Sequence, residues 1–309
     1  KASAALAFES AARLLTDPDL SPLLDTTEVW VVPHINPDGI AAHSRYNANN
    51  VDLNRNYEFA WSSSPFRPGP SPFSESETAA IRALGSWVDF GLGLSMHSGA
   101  INIGWVWNYT TELTRDEDLL SHIGATYAED CTADGFWITN GAAWYITHGD
   151  TTDWSFGRYG TLDFTLEVST NKSPAADQLA DVIEAHEDAV LAVLSWPWWI
   201  SGKVVDATTG MGIAASIEID GTERPIVTGP DGAFSRPMEE GAWTLTVSAP
   251  GYLPTTLIRD VHGSTEDIAL APTALSTNWP EERWLTADGQ FQLTEPATAV
   301  SLIRPGAPT

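Results

Sequence analysis

Apolar positions recur at helical spacing near both ends of the first two hundred residues. Leu6, Leu14 and Leu15 fit one face of a helix over residues 1–15, which Asp17-Pro18 ends. Leu179, Val182, Ile183, Val190, Leu191 and Leu194 repeat that pattern and predict a closing helix. Between them lie short apolar runs. Glu28-Val-Trp-Val-Val-Pro reads as a buried strand, Gly93-Leu-Ser-Met-His as another ending at His97, and Phe164 to Val168 as a third. Asn36-Pro-Asp-Gly reads as a turn, and Ser74-Glu-Ser-Glu as a capping box opening a helix to about Val88. Helices alternating with apolar strands predict an α/β layer fold.

The pattern changes at Pro197-Trp-Trp-Ile-Ser. Period-two alternation follows in Gly202-Lys-Val-Val-Asp, Ala215-Ser-Ile-Glu-Ile-Asp and Ala242-Trp-Thr-Leu-Thr-Val-Ser, separated by the turn signals Thr209-Gly, Pro230-Asp-Gly, Glu240-Gly and Pro250-Gly. These predict a small all-β sandwich. The expected division is therefore 1–197, 198–272, and a tail over 273–309 that has no clear reading.

The chain has 309 residues, 43% of them hydrophobic, enough for a full core and two domains. No run approaches the length of a membrane span. A net charge of −26, from 41 acidic against 15 basic residues, repels nucleic acid and anionic membranes. It suits a secreted or salt-adapted protein, and equally an ordinary soluble one. The single cysteine, Cys131, excludes an intrachain disulfide and reads as a structural thiol. No signal peptide is visible, but the first helix reads as already under way at Lys1, so the chain is expected to begin in mid-domain.

Several polar residues stand out against this background. His97 ends an apolar strand, where a side chain can point into a cleft; a lone histidine is otherwise more often structural. Alternation puts Thr165 and Glu167 on one face of their strand, opposite Phe164, Leu166 and Val168. A carboxylate there either lines a site or faces water from a sheet edge. Arg45, Asn54 and Arg55 share one polar segment in a chain short of cations; the alternative is a pair of surface arginines in weak salt bridges. Tyr145 precedes Asp153-Trp154, and its alternative is a packed tyrosine. Asp153 reads as structural, His148 as a loop residue and His186 as a helix-face residue.

Together, Asn36-Pro-Asp-Gly, Arg45, Asn54-Arg55, His97, Tyr145, Asp153-Trp154 and Glu167 resemble the zinc metallocarboxypeptidases over roughly the first two-thirds of the chain. Lys172 and Pro174 also fit that family's pattern. The resemblance implies a mixed sheet flanked by helices. It also implies release of C-terminal residues from peptides or proteins, with His97 as a zinc ligand and Glu167 as general base. Arg45 would polarise the scissile carbonyl, while Asn54, Arg55 and Tyr145 would hold the terminal carboxylate. The family's other two zinc ligands come from a His-x-x-Glu pair, and none of the seven histidines here has Glu three residues later. The full Zn2+ site is therefore expected only with residues upstream of Lys1.

Ser201-Gly-Lys-Val-Val-Asp-Ala, Gly229-Pro-Asp-Gly-Ala-Phe and Val247-Ser-Ala-Pro-Gly-Tyr are similar to the transthyretin-like domain that follows one branch of that family. In the branch's basic-specific members an acidic residue and a Gln read the departing side chain. The matching positions are Asn108 and Thr152, neither of them charged, with Asp150 nearby. The resemblance implies an extracellular or secreted, monomeric enzyme acting on peptide C-termini. Two other readings stay open: an inactive carboxypeptidase-like protein that binds peptide termini, and an extracellular adhesion or scaffold protein working through its β-module.

Overall fold

A computed structural model describes residues 1–63, 66–263 and 266–273; the tail expected over 273–309 lies outside them from residue 274 onward. The helices are α1 (Ala2–Thr16), α2 (Ser21–Leu24), α3 (Pro37–Ala42), α4 (Ser76–Gly85), α5 (Glu117–Asp130), α6 (Gly141–Trp144), α7 (Thr151–Tyr159) and α8 (Ala176–Leu194). The strands of the first sheet are β1 (Leu92–His97), β2 (Ile101–Trp105), β3 (Trp137–Asn140) and β4 (Leu162–Val168), in the order β1-β4-β2-β3. β1 and β4 run parallel, β2 runs antiparallel to β4, and β3 is parallel to β2. The sheet is mixed, as expected.

β4 is interior, and its alternation separates two environments. Phe164, Leu166 and Val168 join Ile103, Trp105, Leu120, Ile123 and Val190 in one core under α5 and α8. Thr165 and Glu167 project the other way, and there the Thr165 hydroxyl meets that of Thr152 on α7. Asp150 starts α7 by accepting the Asp153 amide at 2.9 Å, and Gly160 ends it in the left-handed region at φ 78°. Asp17 and Pro18 close α1, as the sequence indicates.

Four local expectations are corrected. Glu28–Pro33 forms no strand, because an extended run needs a hydrogen-bonded neighbour and among the described residues none pairs with it. A cavity of about 1400 Å³ is lined on one side by Trp30, Val31 and Val32 and on the other by Leu92 and Leu94 of β1. Asn36-Pro-Asp-Gly is the first turn of α3: the Asn36 side chain accepts the Gly39 amide at 2.8 Å and Pro37 takes the first helical position. The N-cap of α4 is Glu75 rather than Ser74, and the helix stops at Gly85; the buried Glu75 carboxylate instead receives Asn47, Asn49 and Ser74. Leu15 is 79% exposed while Leu6 and Leu14 are buried, since residues 14 and 15 lie 100° apart on a helix.

Strands β5 (Trp199–Asp206), β6 (Ser216–Ile219), β7 (Ile226–Val227), β8 (Ala233–Pro237), β9 (Ala242–Ser248), β10 (Thr255–Asp260) and β11 (Ile268–Leu270) form the predicted sandwich. Its sheets are β10-β9-β6-β7 and β11-β5-β8, around a separate core of Ile200, Val204, Ile217, Phe234, Leu245 and Val247. Polar groups join it to the α/β layer. The fully buried Arg236 donates to Asp116 at 2.8 Å and to the Gly160 carbonyl at 3.1 Å, while Asp116 also accepts the Glu223 amide at 2.9 Å.

Candidate active site

The site forms where strands, an irregular loop and a helix start converge. His97 ends β1 and is the direct register partner of Glu167 on β4. Partners in adjacent strands project to the same face, so the parallel ladder puts the imidazole beside the carboxylate. Asn54, in the 3-10 turn Leu53–Arg55, bridges this pair to α7. Its amide nitrogen lies 3.4 Å from His97 Nε2, and its oxygen accepts the Thr151 amide at 3.0 Å.

Arg45 is held by Asp52, whose carboxylate accepts from its Nε at 2.6 Å, and the Asn36 side chain donates to the Arg45 carbonyl at 3.1 Å. Its side chain is 47% exposed. Its field reaches Tyr145 and Glu167. Arg55 is buried, donates to the Asn54 carbonyl, and keeps an unpartnered Nε. Tyr145 follows α6 and stands 47% exposed, which sets aside the packed-tyrosine reading. Asn108 and Thr152 lie deeper. Asn108 donates to Asp150 at 3.2 Å, and the Thr152 hydroxyl meets that of Thr165 at 2.8 Å. Both Asp150 oxygens are already engaged, by Asn108 and the Asp153 amide on one and by Thr147 on the other. Asp153 is structural: it accepts the Asn108 and Tyr109 amides at 2.8 and 3.0 Å.

Electrostatics follow from burial. Burial pushes His97 down to about 4, helped by the Arg45 and Arg55 cations and opposed by Asp52. The ring is therefore neutral near pH 7 and has a lone pair to offer. Burial raises Glu167, against the Ala100 amide and the Arg45 and Lys172 cations. Being on an interior strand, Glu167 is no edge residue; it is 9% exposed and its Oε2 has no partner. His186, expected on a helix face, is buried against the Tyr127 hydroxyl at 2.9 Å and pushed down to about 4 by burial. His148 lies in a loop, as expected.

A tetrahedral zinc site needs three or four protein donors. Among the described residues no three His, Cys, Asp or Glu side chains form such a group. His97 has the character of a ligand, but alone it does not fit the ion.

Sequence reasoning passed over Asp52, Asp163 and Asn102. Asp163 shares the Glu167 face two rungs down β4, where it receives Ser95 at 3.2 Å and Ser155 at 2.9 Å. The available signal was parity: Leu162-Asp-Phe-Thr-Leu-Glu alternates strictly, and Asn102 interrupts an apolar strand. Trp137 and Trp144, both exposed, were also missed. They pack edge to face at 5.4 Å, and Trp144 meets Tyr145 at 4.7 Å.

Residues 2–189 match the sequence pattern of the zinc carboxypeptidases, and residues 199–273 that of the carboxypeptidase regulatory-like domain. The chain is similar to carboxypeptidase D of Anas platyrhynchos, 27% identical over 78% of this chain and 19% of that protein. It is similar also to carboxypeptidase SOL1 of Arabidopsis thaliana, 26% identical over 84% of this chain and 56% of that protein. It thus spans less than two thirds of either relative. Among solved structures, carboxypeptidase A from Helicoverpa armigera superposes with a TM-score of 0.50 at 21% identity, covering 63% of this chain and 58% of that one. Thrombin activatable fibrinolysis inhibitor gives 0.51 at 19% identity, over 62% and 56%. The fold is thus shared with these structures, and the match over more than half its length shows that the chain belongs to the zinc carboxypeptidase family.

Proposed function

We propose that the protein hydrolyses the C-terminal peptide bond of peptides or proteins, with Glu167 as general base. The supporting observation is the pairing of Glu167 with His97 on one sheet face, beside Arg45 and Asn54. A carboxylate raised by burial has the basicity to take a proton from an attacking water and pass it to the leaving amine. Arg45, fixed through Nε by Asp52, has its remaining N–H groups free to meet the carbonyl oxygen as negative charge develops there. Asn54, Arg55 and Tyr145 hold the terminal carboxylate, and Asn108 and Thr152 line the space for the departing side chain.

This reading includes zinc, with His97 as one ligand and the remaining donors outside this group of residues. It includes a division at 197/198 into a catalytic domain and a transthyretin-like module, and a monomeric, secreted protein. No helix among the described residues is long and apolar enough to cross a membrane. The alternative against which this reading is tested is an inactive binder of peptide termini.

The two separate in one experiment. The protein is incubated with zinc and peptides ending in Arg, Phe, Leu or Glu, and products are read by mass spectrometry alongside zinc content. Loss of single C-terminal residues, abolished by Glu167→Gln, supports hydrolysis. Peptide binding without cleavage under every zinc condition supports the binder.

A further inference from the structure

We propose that Asn102 is a positioning residue of this site, which together with Glu167 holds a buried water molecule that orients the carboxylate. The inference rests on Glu167 acting as the base.

Asn102 lies on β2 as the register partner of Glu167, on the side away from His97. His97, Glu167 and Asn102 therefore form one row across three adjacent strands. Their shared face follows from alternation. Ile103 and Trp105 turn into the core with Leu166 and Phe164, so Asn102 and Glu167 turn the opposite way. Directly paired side chains start with Cβ atoms about 5 Å apart.

Asn102 is 1% exposed, yet neither its Oδ1 nor its Nδ2 has a partner, and Glu167 Oε2 lacks one too. Buried polar atoms in natural proteins are nearly always satisfied by protein or by ordered water. In the run Ile101-Asn-Ile-Gly-Trp a valine or leucine would suit packing better, so an amide here requires a polar reason. No hydrogen bond joins Asn102 to Glu167 directly. One water accepting from Asn102 Nδ2 and donating to Glu167 Oε2 satisfies an atom on each side chain.

The test uses the protein as it is, assayed with zinc supplied, with Asn102→Leu and Asn102→Ser. Asn102→Leu keeps the branching at Cγ and removes both polar atoms. The expected result is kcat lowered roughly tenfold to a hundredfold with KM within about twofold. Asn102→Ser keeps a hydroxyl for the water and recovers most of the rate. A crystal structure of the unaltered protein, at a resolution that shows ordered waters, is expected to place one within hydrogen-bond distance of both Asn102 Nδ2 and Glu167 Oε2. An unchanged kcat in Asn102→Leu, a loss confined to KM, or the absence of that water overturns the proposal. The water is read without turnover, so a protein that cleaves nothing would overturn the hydrolytic reading while this site is still decided by the crystal structure.

Discussion

Asp52 fixes the direction of Arg45: a carboxylate oxygen of the buried Asp52 accepts from the Arg45 Nε at 2.6 Å, so that bond does not use the distal guanidinium nitrogens. Lysine cannot reproduce this, because its single ammonium would either pair with Asp52 or meet the carbonyl. Arg45→Lys is expected to lower kcat by roughly a hundredfold, in the range for losing an oxyanion donor. Asp52→Asn, which keeps a weaker acceptor, is expected to lose less. Steady-state kinetics on one peptide series checks both.

Arg236 and Asp116 form a fully buried ion pair that joins the sandwich to the α/β layer. Removing one partner leaves the other charge buried and uncompensated. Asp116→Ala is expected to destabilise the protein by about 3–5 kcal/mol, read as a shift in urea midpoint. The double change Arg236→Met with Asp116→Leu is expected to recover only part of that loss, because the Glu223 amide and the Gly160 carbonyl lose their partners.

Asp163 makes stability depend on pH. Burial pushes its carboxyl up to about 6 from 3.8, against the hydrogen bonds from Ser155 and Ser95. The folded state therefore holds this proton more tightly than the unfolded chain does. That stabilisation is fully present below about pH 4 and is lost as pH rises through about 6. The gap between the two values corresponds to roughly 3 kcal/mol. Relative to Asp163→Asn, the unaltered protein is expected to gain about that much stability between pH 7 and pH 4 in denaturant titrations. Equal pH dependence in the two proteins would contradict the assignment.

The fold was legible where periodicity reports on burial. β4 alternates between core and site, and α8 carries a long apolar stripe, so both appear in the sequence at nearly their structural extent. Glu28–Pro33 has the same apolar signature as a strand, but a strand is defined by a partner, which its own residues do not encode. Asn36-Pro-Asp-Gly has turn composition, yet Asn at an N-cap and Pro after it serve a helix start equally well. At the site, Arg45, Asn54, His97, Tyr145 and Glu167 were legible through their order along the chain. The supports were not: Asp52 is seven residues from Arg45, and Asn102 meets Glu167 only once two strands pair.

The proposed role of Glu167, beside His97, is that of base in cleavage at a free C-terminus. Its most direct test compares one peptide as a free acid and as a C-terminal amide, with zinc supplied, in the unaltered protein and in Glu167→Gln. Only the free acid is expected to lose its last residue, and Glu167→Gln is expected to bind it but cleave roughly a hundredfold to ten-thousandfold more slowly. Cleavage of the amide at a comparable rate, or undiminished turnover in Glu167→Gln, would contradict it.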